Sequence, residues 1–190
     1  PFTTPGWEYI YAYGIRNSFG IGVDPLTGRL WQSENGPTIN KEEVNLLLPG
    51  TNSGWEDTFG FTTPPPPGLF VVPGSFYSQP EFEFGLTASP TSVAFVTSAV
   101  LGPGRLYEML VAEGHFSANH HIFAFELNAT RDALTFSAPA LQDLVGSSYA
   151  EMTPIIFADG FGIITDVEVG PEGFLYVVDR TAGAVFRIRP

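Results

Sequence analysis

The chain has 190 residues, with 20 Asp and Glu against 8 Lys and Arg and a formal net charge of −12. That balance excludes a nucleic-acid partner, because phosphate binding needs clustered Lys and Arg, and it opposes docking on anionic lipid. Cys is absent, which excludes disulfides and thiolate metal sites, and no run of about 18 apolar residues offers a membrane span.

With 17 Phe, 7 Tyr, 21 Gly and 17 Pro, the composition predicts short strands joined by tight turns. The first hairpin pairs residues 19–23 with 29–33 across Asp24-Pro25-Leu26-Thr27-Gly28. In such turns Pro presets φ and Gly supplies the positive φ that closes the hairpin. Residues 43–48 follow as a further strand. Thr62-Thr63-Pro64-Pro65-Pro66-Pro67-Gly68 is an extended, non-helical connector. A looser copy of the hairpin places residues 91–100 and 105–111 around Leu101-Gly102-Pro103-Gly104, with 121–127 as the next strand. Residues 138–152 form the one stretch able to hold a helical turn or two, and read as a long loop between strands. The last copy has 166–169, Gly170-Pro171-Glu172-Gly173 and 174–179, then 184–189.

Repeated units of hairpin-connected strands are the sequence signature of propeller blades. The predicted fold class is therefore all-β, a β-propeller with about three blades in one partial domain covering residues 1–190. The units run approximately over 9–60, 69–136 and 155–190. Closed propellers need about four to eight blades. The open blade edges are thus expected to be covered by a missing half or by another copy of the chain. Pro1 cannot be an initiator residue, so the sequence reads as mature, processed or partial.

The densest motifs lie early. Tyr13-Gly14-Ile15-Arg16-Asn17-Ser18-Phe19-Gly20 is followed by Trp31-Gln32-Ser33-Glu34-Asn35-Gly36-Pro37, then Glu42-Glu43-Val44-Asn45, then Pro49-Gly50-Thr51-Asn52-Ser53-Gly54-Trp55. Arg16-Asn17 at a strand mouth offers a planar cationic fork beside an amide, which suits a polycarboxylate or a planar ligand with carbonyl edges. Gly36-Pro37 exposes backbone carbonyls able to ligate calcium, with carboxylates nearby to complete an oxygen shell. Each motif alone also fits a bland role, as a pinned loop, an ordinary turn or a solvated edge.

In this order the segments resemble the soluble quinoprotein glucose dehydrogenases, or aldose sugar dehydrogenases, whose pattern is Gly-x-Arg-Asn-Pro-x-Gly, Glu-x-Gly-Pro, Asp-Glu-x-Asn and Gly-x-Asn-x-Gly-Trp. Asp166-Val167 with Gly170-Pro171-Glu172-Gly173-Phe174-Leu175-Tyr176 resembles that family's closing blade, and Phe186-Arg187-Ile188-Arg189-Pro190 its terminal strand. The resemblance implies the C-terminal half of a six-bladed propeller that oxidises an aldose sugar outside the cytoplasm, using pyrroloquinoline quinone and calcium. It puts Arg16 and Asn17 at the quinone, the Gly36 and Pro37 carbonyls at the calcium that polarises it, and Glu43 at a second, structural calcium. It also implies a His general base upstream of the Arg-Asn motif, in blades this chain does not contain. Ile163-Ile164-Thr165 stands where the family usually has Arg residues before Asp-Val. The alternative is a non-catalytic extracellular module, derived from a propeller, that binds partners or self-assembles.

Three smaller features complete the inventory. His115, His120 and His121 cluster with Glu113, a combination able to bind zinc, although adjacent His120 and His121 on a strand point to opposite faces. Glu34, Glu56 and Asp57 read as surface carboxylates. Trp31 and Trp55 are expected in the core between blades.

Overall fold

The computed structural model describes residues 2, 5–37, 40–64, 66–116 and 120–190; Pro65 of the connector lies outside them. The chain forms β1 (Ser18–Val23), β2 (Leu30–Glu34), β3 (Glu42–Leu47), β4 (Thr51–Asn52), β5 (Phe76–Tyr77), β6 (Phe82–Phe84) and β7 (Pro90–Phe95). It continues through β8 (Met109–Glu113), β9 (His120–Leu127), β10 (Leu134–Thr135), β11 (Val145–Gly146) and the short helix α1 (Tyr149–Met152). It ends in β12 (Ile156–Phe161), β13 (Ile164–Val169), β14 (Leu175–Asp179) and β15 (Ala184–Ile188).

Three sheets carry the architecture. The first has the order β1-β2-β3-β6-β11, the second β10-β9-β8-β7 with β12 on β9, and the third β13-β14-β15. Their first strands, β1, β7 and β13, lie side by side, so the sheets radiate as three blades of a β-propeller. The close approach is set by sequence. A Cβ on Gly20 would stand 2.7 Å from the Ser92 backbone, and one on Gly22 would stand 2.8 Å from Val93. Only glycine lets β1 pack directly on β7.

The middle sheet buries both faces. Val93, Phe95, Met109, Val111, Phe123 and Phe125 pack on Trp31, Val44, Leu46, Phe82 and Phe84 of the first sheet. Their neighbours of opposite parity, Ala94, Val96, Leu110, Ala112 and Ile122, pack on Ile164, Val167, Leu175 and Val177 of the third. The two outer faces remain open. On β1, Phe19, Ile21 and Val23 alternate with the buried glycines and are 68%, 62% and 59% exposed. On the third sheet, the paired Val178 and Val185 are exposed. Among the described residues no helix is long and apolar enough to cross a membrane.

The blade boundaries differ from the expected units. The first sheet takes its outer strand from β6, beyond residue 60, and adds β11 in parallel on β6. β12 pairs with β9 and so joins the second sheet rather than the third. Hairpin signals mark sequential neighbours, whereas these strands arrive after long excursions that carry no local pairing signal. Leu101-Gly102-Pro103-Gly104 lies within two 3₁₀ turns, Ala99–Leu101 and Pro103–Arg105.

At the end of the blades opposite the Arg-Asn motif, a buried ion pair bolts the first sheet to the second. Asp24 is fully buried in the β1–β2 turn, where it accepts Nε of Arg131 at 2.8 Å on both oxygens. Arg131 also donates to the Tyr107 carbonyl at 2.9 Å and lies over Phe95. Burial pushes the Asp24 carboxyl up, but hydrogen bonds from Arg131, Thr27 and the Leu26 amide outweigh it and hold the group below its ordinary 3.8. A depressed carboxyl stabilises the fold above its unfolded value and loses that contribution as pH falls through its folded value. Asp24→Ala should therefore cost about 3 kcal/mol at neutral pH, because it strands the Arg131 charge. The difference from wild type should shrink below pH ~3.8, the ordinary value. Denaturant midpoints at pH 7 and pH 3 check both statements, and equal midpoints at pH 7 would remove the bolt from the account.

Candidate functional site

Strand registry brings the motif residues to one rim. Ser18 pairs with Glu34 and Glu34 with Glu43 in the first sheet. Pro90 pairs with Glu113 in the second, and Ile164 with Asp179 in the third. Bonds between sheets show that these ends coincide. Asn35 Nδ2 donates to the Pro90 carbonyl at 3.0 Å, and Thr91 Oγ1 donates to the Ile164 carbonyl at 2.9 Å.

Arg16 and Asn17 sit on this rim just before β1, and both are exposed. The Arg16 guanidinium donates through Nη1 to the Asn35 carbonyl at 2.9 Å and lies 5.4 Å from the centre of the Trp55 ring. This holds a planar cation against an aromatic face. Trp55 is thus not core, as its size suggested, but is 36% exposed beneath the guanidinium, edge-on to Phe59.

Glu34 is the main correction on this rim. Rather than a surface carboxylate, it is fully buried at the end of β2. One oxygen accepts the Arg16 amide, and the Asn17 amide also donates to the carboxylate. The other accepts Gln32 Nε2 at 2.8 Å and Asn45 Nδ2 at 3.4 Å. Burial pushes its carboxyl up to about 7, against the pull of those donors. Trp31 to Glu34 are buried without a break, since a strand covered on both faces hides its polar residues too, and nothing in the sequence itself announced this.

Glu43, opposite Glu34, is buried as well. It accepts the Gly60 amide at 2.6 Å and Asn45 Nδ2 at 3.0 Å. Burial, with the neighbouring Glu34 and Glu83 charges, pushes it to about 7. Glu34, Glu43 and Glu83 therefore form one transverse row on β2, β3 and β6. Gly36 and Pro37 lie in the turn after β2. A Cβ on Gly36 would stand 2.7 Å from the Asn40 carbonyl oxygen and 3.0 Å from that of Lys41. Backbone oxygens crowd this turn, and the buried carboxylates of Glu34 and Glu43 are engaged by amide donors. Among the described residues no three His, Cys, Asp or Glu side chains are placed to hold a metal together. A hard cation at Gly36-Pro37 would rest on main-chain oxygen, the donor chemistry calcium accepts.

The histidines divide as strand geometry requires. His121 Nδ1 lies 2.8 Å from Glu113, while His120 Nδ1 lies 2.7 Å from the Gly162 carbonyl beside the third sheet. Their side chains engage different partners and are not placed together around one ion. Glu113 is fully buried and also accepts the Tyr149 hydroxyl from α1, whose ring packs on His121. Glu42 stands nearby and accepts the Ala88 and Ser89 amides. Burial pushes it up to about 7, and the Glu113 charge adds to the rise. Tyr149 had no motif to announce it. At the third sheet, Ile164, in the segment where the resemblance led to an expectation of Arg residues, is buried between blades.

Comparison with known proteins bears on the family and the fold. The sequence profile of the family described as Glucose / Sorbosone dehydrogenase matches residues 1–187. The aldose sugar dehydrogenase of Escherichia coli is 27% identical over 188 residues, covering 95% of this chain and 44% of that protein. Among solved structures, an oxidoreductase of the glucose dehydrogenase type from Thermus thermophilus superposes with a TM-score of 0.63 at 26% identity, over 95% of this chain and 44% of its own. A calcium structure of a Trichoderma reesei carbohydrate-active enzyme shares the fold at a TM-score of 0.61 and 15% identity, over 93% of this chain and 52% of that one. The chain thus spans about half the length of the relatives it matches. With its profile match running nearly end to end and its motifs gathered on one rim, the chain belongs to the glucose/sorbosone dehydrogenase family.

Proposed function

We propose that this chain supplies the cofactor-holding rim of a sugar dehydrogenase that oxidises aldoses outside the cytoplasm with pyrroloquinoline quinone and calcium. The observation that carries the reading is the exposed Arg16 guanidinium, tethered to Asn35 and laid over Trp55, beside Asn17 and the Gly36-Pro37 turn. The residues fit the groups. A fixed cationic fork suits a planar polycarboxylate, and crowded backbone oxygens suit calcium. When bound, the quinone would take the hydride equivalent of the sugar, with calcium polarising its oxygens. Arg16 and Asn17 would bind and orient its carboxylate and carbonyl edges, Gly36 and Pro37 would hold the first calcium, and Glu43 would help hold a second. The proton acceptor for the sugar hydroxyl would come from further blades, seated on the open faces of β1 and the third sheet.

A second reading is a non-catalytic, propeller-derived module. It is favoured by the buried Ile164 in place of a rim cation and by the exposed Phe19, Ile21 and Val23 row, which would take another copy of the chain.

Titration of the purified chain with pyrroloquinoline quinone in millimolar calcium separates the two. Saturable binding, weakened at least about tenfold by Arg16→Ala, is the expected result for a charge-assisted contact. A folded chain that binds nothing would favour the module. Light scattering should then show masses above the monomer, reduced by Phe19→Ser with Ile21→Ser.

Calcium and pH give an independent check. Glu34, Glu42 and Glu43 are each pushed up to about 7. A raised carboxyl binds its proton more tightly in the folded state. Without calcium, stability should therefore fall as pH rises from the ordinary 4.5 through 7. Glu43→Gln should remove about one proton from that slope. Millimolar calcium should raise the melting temperature more at pH 8 than at pH 5.5, and Glu43→Gln should diminish that gain. A melting temperature indifferent to calcium at pH 8 would remove Glu43 from the proposed calcium set.

A further inference from the structure

We propose that Glu34 is a positioning residue, whose buried carboxylate clamps the Arg16-Asn17 backbone so that both side chains face the rim. The inference rests on the reading of Arg16 and Asn17 as cofactor contacts.

Arg16 and Asn17 precede β1, so no strand ladder satisfies their amides. Glu34 takes both. Asn35, the next residue, completes the clamp. Its amide donates to the Asn17 carbonyl at 3.0 Å, and its side chain donates to that carbonyl at 3.4 Å. The same side chain reaches the second sheet through the Pro90 carbonyl at 3.0 Å. In return, the Arg16 guanidinium binds the Asn35 carbonyl. The dipeptides 16–17 and 34–35 thus hold each other, and Asn35 ties the pair to the neighbouring blade.

The donors around Glu34 match an ionised carboxylate, so the comparison with a carboxamide is made at pH ~8.5, above the raised Glu34 value of about 7. Glu34 meets donors at both ends, main-chain amides on one side and Gln32 with Asn45 on the other. An ionised carboxylate accepts on both oxygens. A carboxamide accepts on one and donates from the other, so with its oxygen on the amides it loses the bond from Asn45 and keeps Gln32 only if that side chain also turns over. Glu34→Gln keeps the shape and loses this pattern. Adding Gln32→Glu should restore the amide contacts, because the carboxamide can then turn its oxygen to the amides and its NH₂ to the new carboxylate, while Asn45 keeps its shorter bond to Glu43.

The test follows amide hydrogen exchange at Arg16 and Asn17 in the chain without cofactor, alongside binding of pyrroloquinoline quinone in millimolar calcium. In Glu34→Gln, exchange at both amides should accelerate by about tenfold or more, while Val111 and Val177 in the strand interiors keep their protection. The dissociation constant for the quinone should rise about tenfold, as when a residue supporting a ligand contact is lost. Gln32→Glu with Glu34→Gln should recover both. Unchanged exchange at Arg16 and Asn17 overturns the clamp, and so does equal acceleration at Val111 and Val177, which would mark general destabilisation. Faster local exchange with unchanged quinone affinity overturns the positioning role. A wild-type chain that binds no quinone overturns the functional reading instead, and the clamp is then decided by the amides alone.

Discussion

The middle sheet buries both of its faces, and the rest of the structure depends on that constraint. Large side chains, among them Phe95, Met109, Phe123 and Phe125, point to the first sheet, and smaller ones, among them Ala94 and Ala112, point to the third. Strand parity makes the division strict, because a one-residue slip would exchange the two sets. The spacing of the two neighbours is therefore unequal in demand. Toward the first sheet the core accommodates Trp31, Phe82 and Phe84, and where the blades converge Gly20 and Gly22 remove side chains altogether.

Locked faces imply locked ends. Once β7 is in register with β8, Pro90 stands opposite Glu113, and contacts from Asn35 and Thr91 hold the three rims level. That alignment lets the Arg16 segment, the Gly36 turn and the Glu42-Glu43 pair meet although they leave different strands. The opposite end is held by Asp24 and Arg131, a pair with no access to the rim. The buried ion pair and the motif-bearing rim are thus placed at opposite ends of the same blades.

The rim concentrates buried carboxylate. Glu34, Glu42 and Glu43 find amide donors rather than cations, and burial raises each toward neutrality. Desolvated charge opposes folding, so these residues oppose stability at high pH while organising the loops that carry Arg16, Ser89 and Gly60. The open faces of β1 and the third sheet repeat the logic on a larger scale. Phe19, Ile21 and Val23 form the kind of apolar row that elsewhere in this chain lies between two blades.

Much of the fold was legible from local pattern. The Pro-Gly turns marked the hairpins, because φ preferences act within four residues, and the Arg-Asn and Gly-Pro motifs named the residues that the structure gathers on one rim. Blade membership was not legible. β6, β11 and β12 join their sheets through contacts made far along the chain, and nothing in their own residues specifies the partner. Nor was the environment of a given polar residue. Glu34 and Trp55 appear in sequence as surface acid and core aromatic, and the structure reverses them. The sequence by itself determined strand content, turn positions and which polar residues lie at the strand ends that form the rim, because these follow from residue type and short spacing. Only the tertiary structure decided which carboxylates lose their water and which amides they hold, because burial and hydrogen-bond partnership belong to the packing of whole sheets.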